Sequence, residues 1–186
     1  MPELPHQIAV LCYLFDDAGR LLMLHRRKPP NRDLYSPIGG KVETQLGESP
    51  TACAIREIHE EAGLRLPVDR LRLAGIVSEA GFEDQHHWLM FLYEVIDPVA
   101  VDAVEFDEGR LEWCELDTIG DLPQPVTDRA VIWPLFWAHR GGFFTAHIDC
   151  HDGRMRWRLE QPPGEGHQWH HVEPEGAASR AAGPQG

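Results

Sequence analysis

Three glutamates in one short segment are the residues of this chain whose types and spacing point most directly to chemistry. Glu57, Glu60 and Glu61 lie within little more than one helical turn, and Arg56 precedes them. At about 100° per residue, a helix brings the three carboxylates to one side, and we expect that side to be exposed. Carboxylates packed together repel one another unless a cation lies among them. The segment is therefore a candidate site for a metal ion that prefers oxygen ligands.

The residues around these glutamates predict a helix with defined ends. Ser49 is a suitable N-cap, and Pro50 fits the first helical position, where its missing N–H costs nothing. Gly63 suits the left-handed residue just after the helix. Apolar residues recur at helical spacing and predict a buried stripe, formed by Ala54, Ile55, Ile58 and Ala62. Arg56 and Glu60 are four residues apart and can pair on the helix surface.

The segment from Gly40 to Leu64 resembles the Nudix box, the signature of hydrolases that cleave nucleoside diphosphates linked to another group. Its second part matches the family pattern throughout, at Glu48, Arg56, Glu57, Ile58, Glu60, Glu61, Gly63 and Leu64. Its first part departs from the pattern, because seven residues separate Gly40 from Glu48 where the family usually has five. The two extra residues fall in 43–46, in a loop where an insertion costs little closure entropy.

The resemblance implies a fold, a reaction and an ion. The fold would be of the α/β class, a Nudix-type α/β/α sandwich with a mixed β-sheet, over residues 1–160. The reaction would be attack of metal-activated water on a diphosphate linkage of a nucleoside diphosphate derivative. With a nucleoside triphosphate, the products would be a nucleoside monophosphate and pyrophosphate. The ion would be Mg²⁺, with Mn²⁺ as an alternative, and its ligands would be Glu57, Glu60, Glu61 and the Gly40 carbonyl.

The same resemblance assigns catalytic roles. Arg56, paired with Glu48, would orient the carboxylates, and Glu60 or Glu108 would be the base. Family members often take an additional carboxylate from a loop distant in sequence from the helix. In the acidic loop 105–110 we prefer Glu108 to Glu105, although a merely solvated acidic loop is an equal alternative.

Basic residues near the box are candidates for substrate binding. Arg26 ends an apolar segment, and Lys41 follows the glycines. Arginine and lysine donate hydrogen bonds to phosphate oxygens, so both are candidate phosphate ligands. For Arg26, ordinary surface charge is an equal alternative.

A second, less specific resemblance covers residues 112–144. The acidic, aromatic-proline and glycine-aromatic residues there are similar to the C-terminal part of the oxidised-purine nucleoside triphosphatases. This resemblance implies that Asp128 reads the base and that Trp133 helps to form the base pocket. That branch has two adjacent aspartates, whereas here Arg129 stands beside Asp128. An amphipathic helix whose tryptophans lie in the core is the alternative.

Composition limits the remaining possibilities. The chain has 186 residues and a formal net charge of −13, so a nucleic-acid duplex is not an expected partner. A small anionic nucleotide remains compatible, because divalent ions invert the local field. The four cysteines show no metal-binding or disulfide spacing, and the chain has no membrane-spanning apolar run. We therefore expect a cytoplasmic protein that does not bind membranes, and a homodimer stays open.

The segments outside the box predict further elements. Apolar segments 8–15 and 20–27 flank a turn and predict a β-hairpin. A second hairpin with an Asp-Gly turn is predicted over 143–160. Residues 161–186 are rich in Pro, Gly and Ala and predict a disordered tail.

A functional alternative of another class stays open. Some Nudix domains bind nucleotides without hydrolysing them and regulate a partner. Such a domain would be expected to have an incomplete carboxylate set or an attached DNA-binding segment, and this sequence has neither.

Overall fold

The computed structural model describes residues 4–29, 31–83, 85–102, 105–163 and 168–173. The strands are β1 (His6–Tyr13), β2 (Leu21–Arg26), β3 (Tyr35–Lys41), β4 (Leu71–Phe82), β5 (His86–Val95), β6 (Glu105–Phe106), β7 (Gly109–Cys114), β8 (Phe144–Asp149), β9 (Met155–Gln161) and β10 (His170–Val172). The α-helices are α1 (Pro50–Ala62) and α2 (Trp133–Ala138). A π-helical turn, Asp128–Ile132, leads into α2.

The strands form one mixed sheet in the order β10-β9-β8-β4-β5-β1-β3-β2-β7-β6. The pairs β1–β5 and β4–β8 are parallel, and the other neighbours are antiparallel. The prediction of a mixed sheet is therefore confirmed.

The strands at the centre of the sheet are buried on both faces. Because side chains alternate along a strand, β1 sends Ala9 and Tyr13 to one core and Val10 and Cys12 to the other. Helix α1 packs on the second core, and α2 packs on the first. This helix–sheet–helix layering confirms the predicted α/β/α sandwich.

The predicted hairpin between 8–15 and 20–27 is wrong. β1 and β2 are separated by β3, and only an isolated bridge between Phe15 and Leu21 joins their ends. The first half of β3 pairs with β2, and its second half pairs with β1. The segment before the glycines thus forms a strand, β3, that lies between β1 and β2, whereas a hairpin would have paired β1 and β2 directly.

The ends of α1 agree with the prediction. The Ser49 side chain accepts a hydrogen bond from the Ala52 N–H, and Pro50 is the first helical residue. Gly63 has φ +70° and ψ 5°, and its N–H donates to the His59 carbonyl. These capping groups bind backbone groups that the helix itself leaves unpaired.

The C-terminal part extends the sheet further than predicted. The hairpin of β8 and β9 is confirmed, and Asp152 and Gly153 in its turn both have positive φ. β9 reaches Gln161, and β10 pairs with it, so the sheet does not stop at residue 160. The predicted disordered tail is thus wrong for 168–173, and residues 164–167 and 174–186 lie outside the described residues. None of the helices in the described ranges is long and apolar enough to cross a bilayer.

Candidate active site

A cleft of about 350 Å³ opens beside the centre of the sheet. Its acidic lining consists of two sets of side chains. One set surrounds the end of β3 and comprises Glu57 and Glu108 next to Gly40, and the other comprises Glu79 and Asp128. Both members of the first set and Asp128 of the second set are sequence-predicted candidates, whereas Glu79 is not.

The glutamates of α1 do not all lie on the exposed side of the helix, and that prediction is wrong. Glu57 and Glu61 are buried, with 9% and 7% of their surface exposed, whereas the Glu60 side chain is 55% exposed. The backbone of β3 covers the two buried carboxylates. The Gly39 N–H donates to Glu61 Oε2 at 3.4 Å.

Gly40 lies directly against Glu57. A Cβ atom at residue 40 would lie 2.2 Å from Glu57 Oε1, so only glycine allows this carboxylate to reach the backbone of β3. The predicted neighbourhood of Gly40 and the helical glutamates is therefore present despite the two extra residues. Residues Thr44–Leu46 of the insertion form a single 3₁₀ turn that ends at Gly47, which is left-handed.

Arg56 binds the carboxylates around it, and its predicted pairing with Glu48 is confirmed. Its Nε and Nη2 donate to the two oxygens of Glu48 at 2.8 and 3.0 Å. Its Nη1 donates to Glu57 at 2.6 Å and to Glu60 at 3.1 Å. Such a planar guanidinium fixes several carboxylates at once. Its hydrogen bonds lower the pKa of Glu48 to about 2.

The two buried glutamates of α1, Glu57 and Glu61, lie where the ionised carboxylate is disfavoured. Burial, together with Glu57 and Glu108, raises the pKa of Glu61 to about 8. Burial also raises the pKa of Glu57, against the effect of Arg56. A cation among these groups would favour their ionised forms.

The chemistry of the donor set fits a hard divalent ion, because carboxylate and carbonyl oxygens are the ligands such ions prefer. Among the described residues, no group of three or more His, Cys, Asp or Glu is already arranged around one point. Arg56 occupies oxygens of both Glu57 and Glu60 in this state.

Glu108 faces the cleft, and Glu105 does not line it. Glu108 is half-exposed, and its Oε2 lies 3.8 Å from Arg26 Nη2. Glu105 instead pairs with Arg27 at the sheet edge. The structure thus brings Glu108 and Arg26, but not Glu105, to the α1 glutamates.

Lys41 lies on the other side of Gly40. Its Nζ is 5.4 Å from the centroid of the Trp88 ring, and both residues line the cleft. A lysine held over an aromatic face in this way keeps its ammonium group at the cleft.

Asp128 and Trp133, both predicted to contact a base, are placed differently. Asp128 starts the π-helical turn and lines the cleft, where burial raises its pKa to about 7. Trp133 is absent from the described lining of the cleft and is half-buried, with its ring stacked on Tyr13 and Phe136, so the structure does not bring it to the cleft. Its large ring fills the layer between α2 and the sheet instead.

Sequence reasoning missed four cleft residues on β4 and β5: Glu79, Phe82, Trp88 and Met90. The alternation of β4 contained a signal for Glu79. Glu79 lies two residues after Val77, which is fully buried, and side chains two apart on a strand share a face. The Glu79 side chain is therefore expected to point inward.

Comparisons with known proteins found similar sequences and similar folds. A family model described as NUDIX domain matches residues 5–136. The chain is 28% identical over 122 residues to the uncharacterized Nudix hydrolase YvcI of Bacillus subtilis (strain 168), covering 65% of this chain and 73% of that protein.

Two solved structures share the fold. The mutator MutT protein of Bacillus halodurans superimposes with a TM-score of 0.66 at 24% identity, covering 84% of this chain and 99% of that one. The NUDIX domain of Shewanella oneidensis NrtR, solved with ADP ribose, superimposes with a TM-score of 0.58 at 13% identity, covering 74% and 89%.

Proposed function

This chain belongs to the Nudix family of nucleotide pyrophosphohydrolases, and from that premise we propose that it uses a divalent metal ion to hydrolyse nucleoside triphosphates. Water would attack a phosphorus of the triphosphate, and a P–O bond of the diphosphate linkage would break. The products would be a nucleoside monophosphate and pyrophosphate.

The observation that carries the proposal is the burial of Glu57 and Glu61 against the Gly39–Gly40 backbone, next to Glu108. Buried carboxylates are costly unless they are paired or coordinate a metal. Glu57, Glu60, Glu61 and the Gly40 carbonyl would hold Mg²⁺ or, as an alternative, Mn²⁺. When bound, the ion would polarise phosphate oxygens and lower the pKa of a bound water.

The protein side chains would orient the reactants. Arg56 would fix Glu57 and Glu60 through the hydrogen bonds described above. Arg26 and Lys41 line the same cleft and would bind phosphate oxygens. Glu60 or Glu108, both more exposed than the buried pair, would accept the proton of the attacking water.

The test is to incubate the protein with a panel of nucleotides in the presence of Mg²⁺ or Mn²⁺. Hydrolysis is measured as the release of pyrophosphate and phosphate. The panel contains dGTP, 8-oxo-dGTP, dATP, ADP-ribose, diadenosine polyphosphates and nucleotide sugars, and Glu61→Gln is the blank. We expect turnover of a nucleoside triphosphate and a loss of at least about 10²-fold in the variant. Turnover of ADP-ribose or a dinucleotide alone would contradict the triphosphate part. Absence of all turnover would favour a nucleotide-binding regulatory domain.

A further inference from the structure

Three histidines from separate elements lie in a row beside the turn that joins β4 to β5. His6 opens β1, His87 lies at the start of β5, and His151 lies in the turn that follows β8. The ring centroids of His6 and His87 are 4.9 Å apart, and those of His87 and His151 are 6.2 Å apart. His87 is therefore the middle member, with a second imidazole on each side.

A bulge in β4 supplies the hydrogen-bond partner of His87. The pairing of β4 with β5 shifts between Glu79 and Phe82, where β4 has one residue more than β5. The Gly81 N–H lies in this bulge and donates to Nδ1 of the His87 ring at 3.1 Å. A ring nitrogen that accepts a hydrogen bond carries no proton. This bond therefore exists only while His87 is neutral, with its proton on Nε2.

The backbone of Gly81 is held from a second side by His151. Gly81 has φ +73°, and a Cβ added to it would lie 2.9 Å from Cδ2 and Nε2 of the His151 ring. His151 is itself fixed, because its Nδ1 lies 2.7 Å from Asp149 Oδ1, and Arg156 donates to the other oxygen of Asp149 at 2.7 Å. The peptide before Phe82 thus lies between two imidazole rings, one that accepts from it and one that packs against it.

Phe82 connects this arrangement to the cleft. It follows Gly81 directly, and it lines the cleft. A bulge changes the direction of the side chains around it, so the position of Phe82 depends on the conformation of Gly81. Glycine has a wide choice of backbone conformations when no contact restricts it. The contacts of Gly81 with the two histidines therefore fix an apolar part of the cleft wall.

We propose that His87 is a positioning residue of the cleft, which in its neutral form holds Gly81 and thereby places Phe82, and which releases this segment when it is protonated. The inference rests on the proposed function only in taking the cleft as the substrate site. A proton on Nδ1 would face the Gly81 N–H, so two donors would oppose each other where a hydrogen bond had been. The segment would then move, and the substrate would bind less tightly at acidic pH.

The neighbours of His87 keep it neutral at pH 7. Partial burial, followed by His6 and His151, lowers the pKa of His87 below its ordinary value of 6.5. Among the described residues, no carboxylate contributes to this shift. Because the pKa in the folded protein is lowered, the hydrogen bond to Gly81 is present above pH 6.5 and is lost as the pH falls below that value.

The other titratable groups around this row face elsewhere. Asp149 is bound by His151 and by Arg156. His86 is the neighbour of His87 on β5, and side chains of successive strand residues point to opposite faces of the sheet. On β4, Glu79 lines the cleft.

The first test follows the Gly81 amide by proton–nitrogen NMR, in the protein without added metal, from pH 8 to pH 5. In the wild type, the Gly81 amide and the His87 ring should titrate together, with a midpoint below 6.5. In His87→Asn this step of Gly81 should disappear, because the new Oδ1 can accept the same hydrogen bond and gains no proton. His171→Asn is the matched control, because His171 is exposed on the edge strand β10, and it should keep the wild-type step.

The second test measures kcat and KM for dGTP with Mg²⁺ at pH 7.5 and at pH 5.5. His87→Phe keeps a ring but has no acceptor, so it should raise KM about 3- to 10-fold at pH 7.5 and change kcat less than about twofold. His87→Asn should keep the wild-type KM at pH 7.5. At pH 5.5 the KM of the wild type should approach that of His87→Phe, whereas His87→Asn should retain a lower KM. The proteins are compared at the same pH, since other groups of the cleft titrate as well.

The two tests separate this proposal from the proposed reaction. A Gly81 amide that stays constant while His87 titrates would overturn the positioning role whether or not a nucleotide is hydrolysed. Equal KM values for the wild type and a folded His87→Phe at pH 7.5 would also overturn it, and the thermal midpoint shows whether that variant is folded. If it is not folded, equal KM values for the wild type and His87→Asn at pH 5.5 would overturn the role instead. Joint titration of Gly81 and His87 without any hydrolysis would support the positioning role and contradict the proposed reaction.

Discussion

A side chain at residue 40 would meet the Glu57 carboxylate. In Gly40→Ala the new Cβ would overlap the Glu57 carboxylate, so Glu57 must move away from the end of β3. Displacements of about 1 Å in an active site can cost about 10²-fold in rate. We therefore expect Gly40→Ala to lower kcat/KM by about that factor while the thermal midpoint changes little, as measured by initial rates and calorimetry.

The matched control is Gly120→Ala, because a Cβ at residue 120 would meet no atom within 4 Å. It should retain wild-type activity. Full activity of Gly40→Ala would show that the contact between Gly40 and Glu57 does not matter for the reaction.

Glu48 contributes to stability in a manner that depends on pH. Its folded pKa, about 2, lies below its ordinary value of 4.5, because Arg56 hydrogen-bonds the ionised form. The stabilisation is therefore complete above about pH 4.5 and is lost as the pH falls towards 2. We expect Glu48→Gln to lower the free energy of unfolding at pH 7 by about 2 kcal/mol.

Chemical denaturation of the wild type and Glu48→Gln between pH 7 and pH 2 checks this prediction. The difference between the two proteins should shrink below pH 4.5. A difference that stays constant over this range would show that lost packing, and not the ion pair with Arg56, causes the destabilisation.

At the scale of elements, the residue after α1, Gly63, allows the cost of a left-handed backbone to be measured alone. Gly63 is left-handed, and a Cβ added there would meet no atom within 4 Å. Gly63→Ala should therefore lower stability only through backbone strain, by about 1 kcal/mol, or roughly 2–4 °C in thermal midpoint. Gly63→Asn should lose less, because asparagine tolerates this conformation. A larger loss for asparagine than for alanine in calorimetry would contradict the strain argument.

Helix α1 could be predicted from sequence because its signals are local. Ser49, Pro50 and Gly63 act on backbone groups a few residues away. The side of α1 that is buried depends on where β3 lies. The periodicity of the helix residues does not predict the position of β3. Gly40 lacks a side chain, so its backbone lies against Glu57, and the Gly39 N–H donates to Glu61.

Contacts distant in sequence explain the other errors. The hairpin of β1 and β2 was predicted from adjacent segments, but β3 lies between them. Glu79 and Asp128 come from elements that meet only when the sheet and the π-helical turn are assembled. Trp133 is an aromatic residue that could stack on a base, yet its ring stacks on Tyr13 and Phe136.

At the scale of the whole molecule, the question is how much the edge strand β10 contributes to stability. Its pairing with β9 places His170 on the Trp157 ring, with centroids 4.4 Å apart. Truncation after Gln161 removes this strand, and the loss of such aromatic contacts should lower stability by about 1 kcal/mol or more. Because β10 lies at the edge of the sheet and does not line the cleft, kcat should stay unchanged. Calorimetry and initial rates on the truncated chain check both statements, and a reduced kcat would contradict the second.

The position of β1 in the middle of the sheet has a consequence for synthesis of the chain. β1 emerges from the ribosome before the other described strands, and its parallel partner β5 lies about 80 residues further along the chain. At translation speeds of about 5–20 residues per second, β1 remains without that neighbour for several seconds. During this time both of its apolar faces and one of its edges are open to other nascent chains. Newly made protein is thus most prone to aggregate before residue 95 has been added, so slower translation of that stretch would reduce the soluble yield without changing the finished molecule.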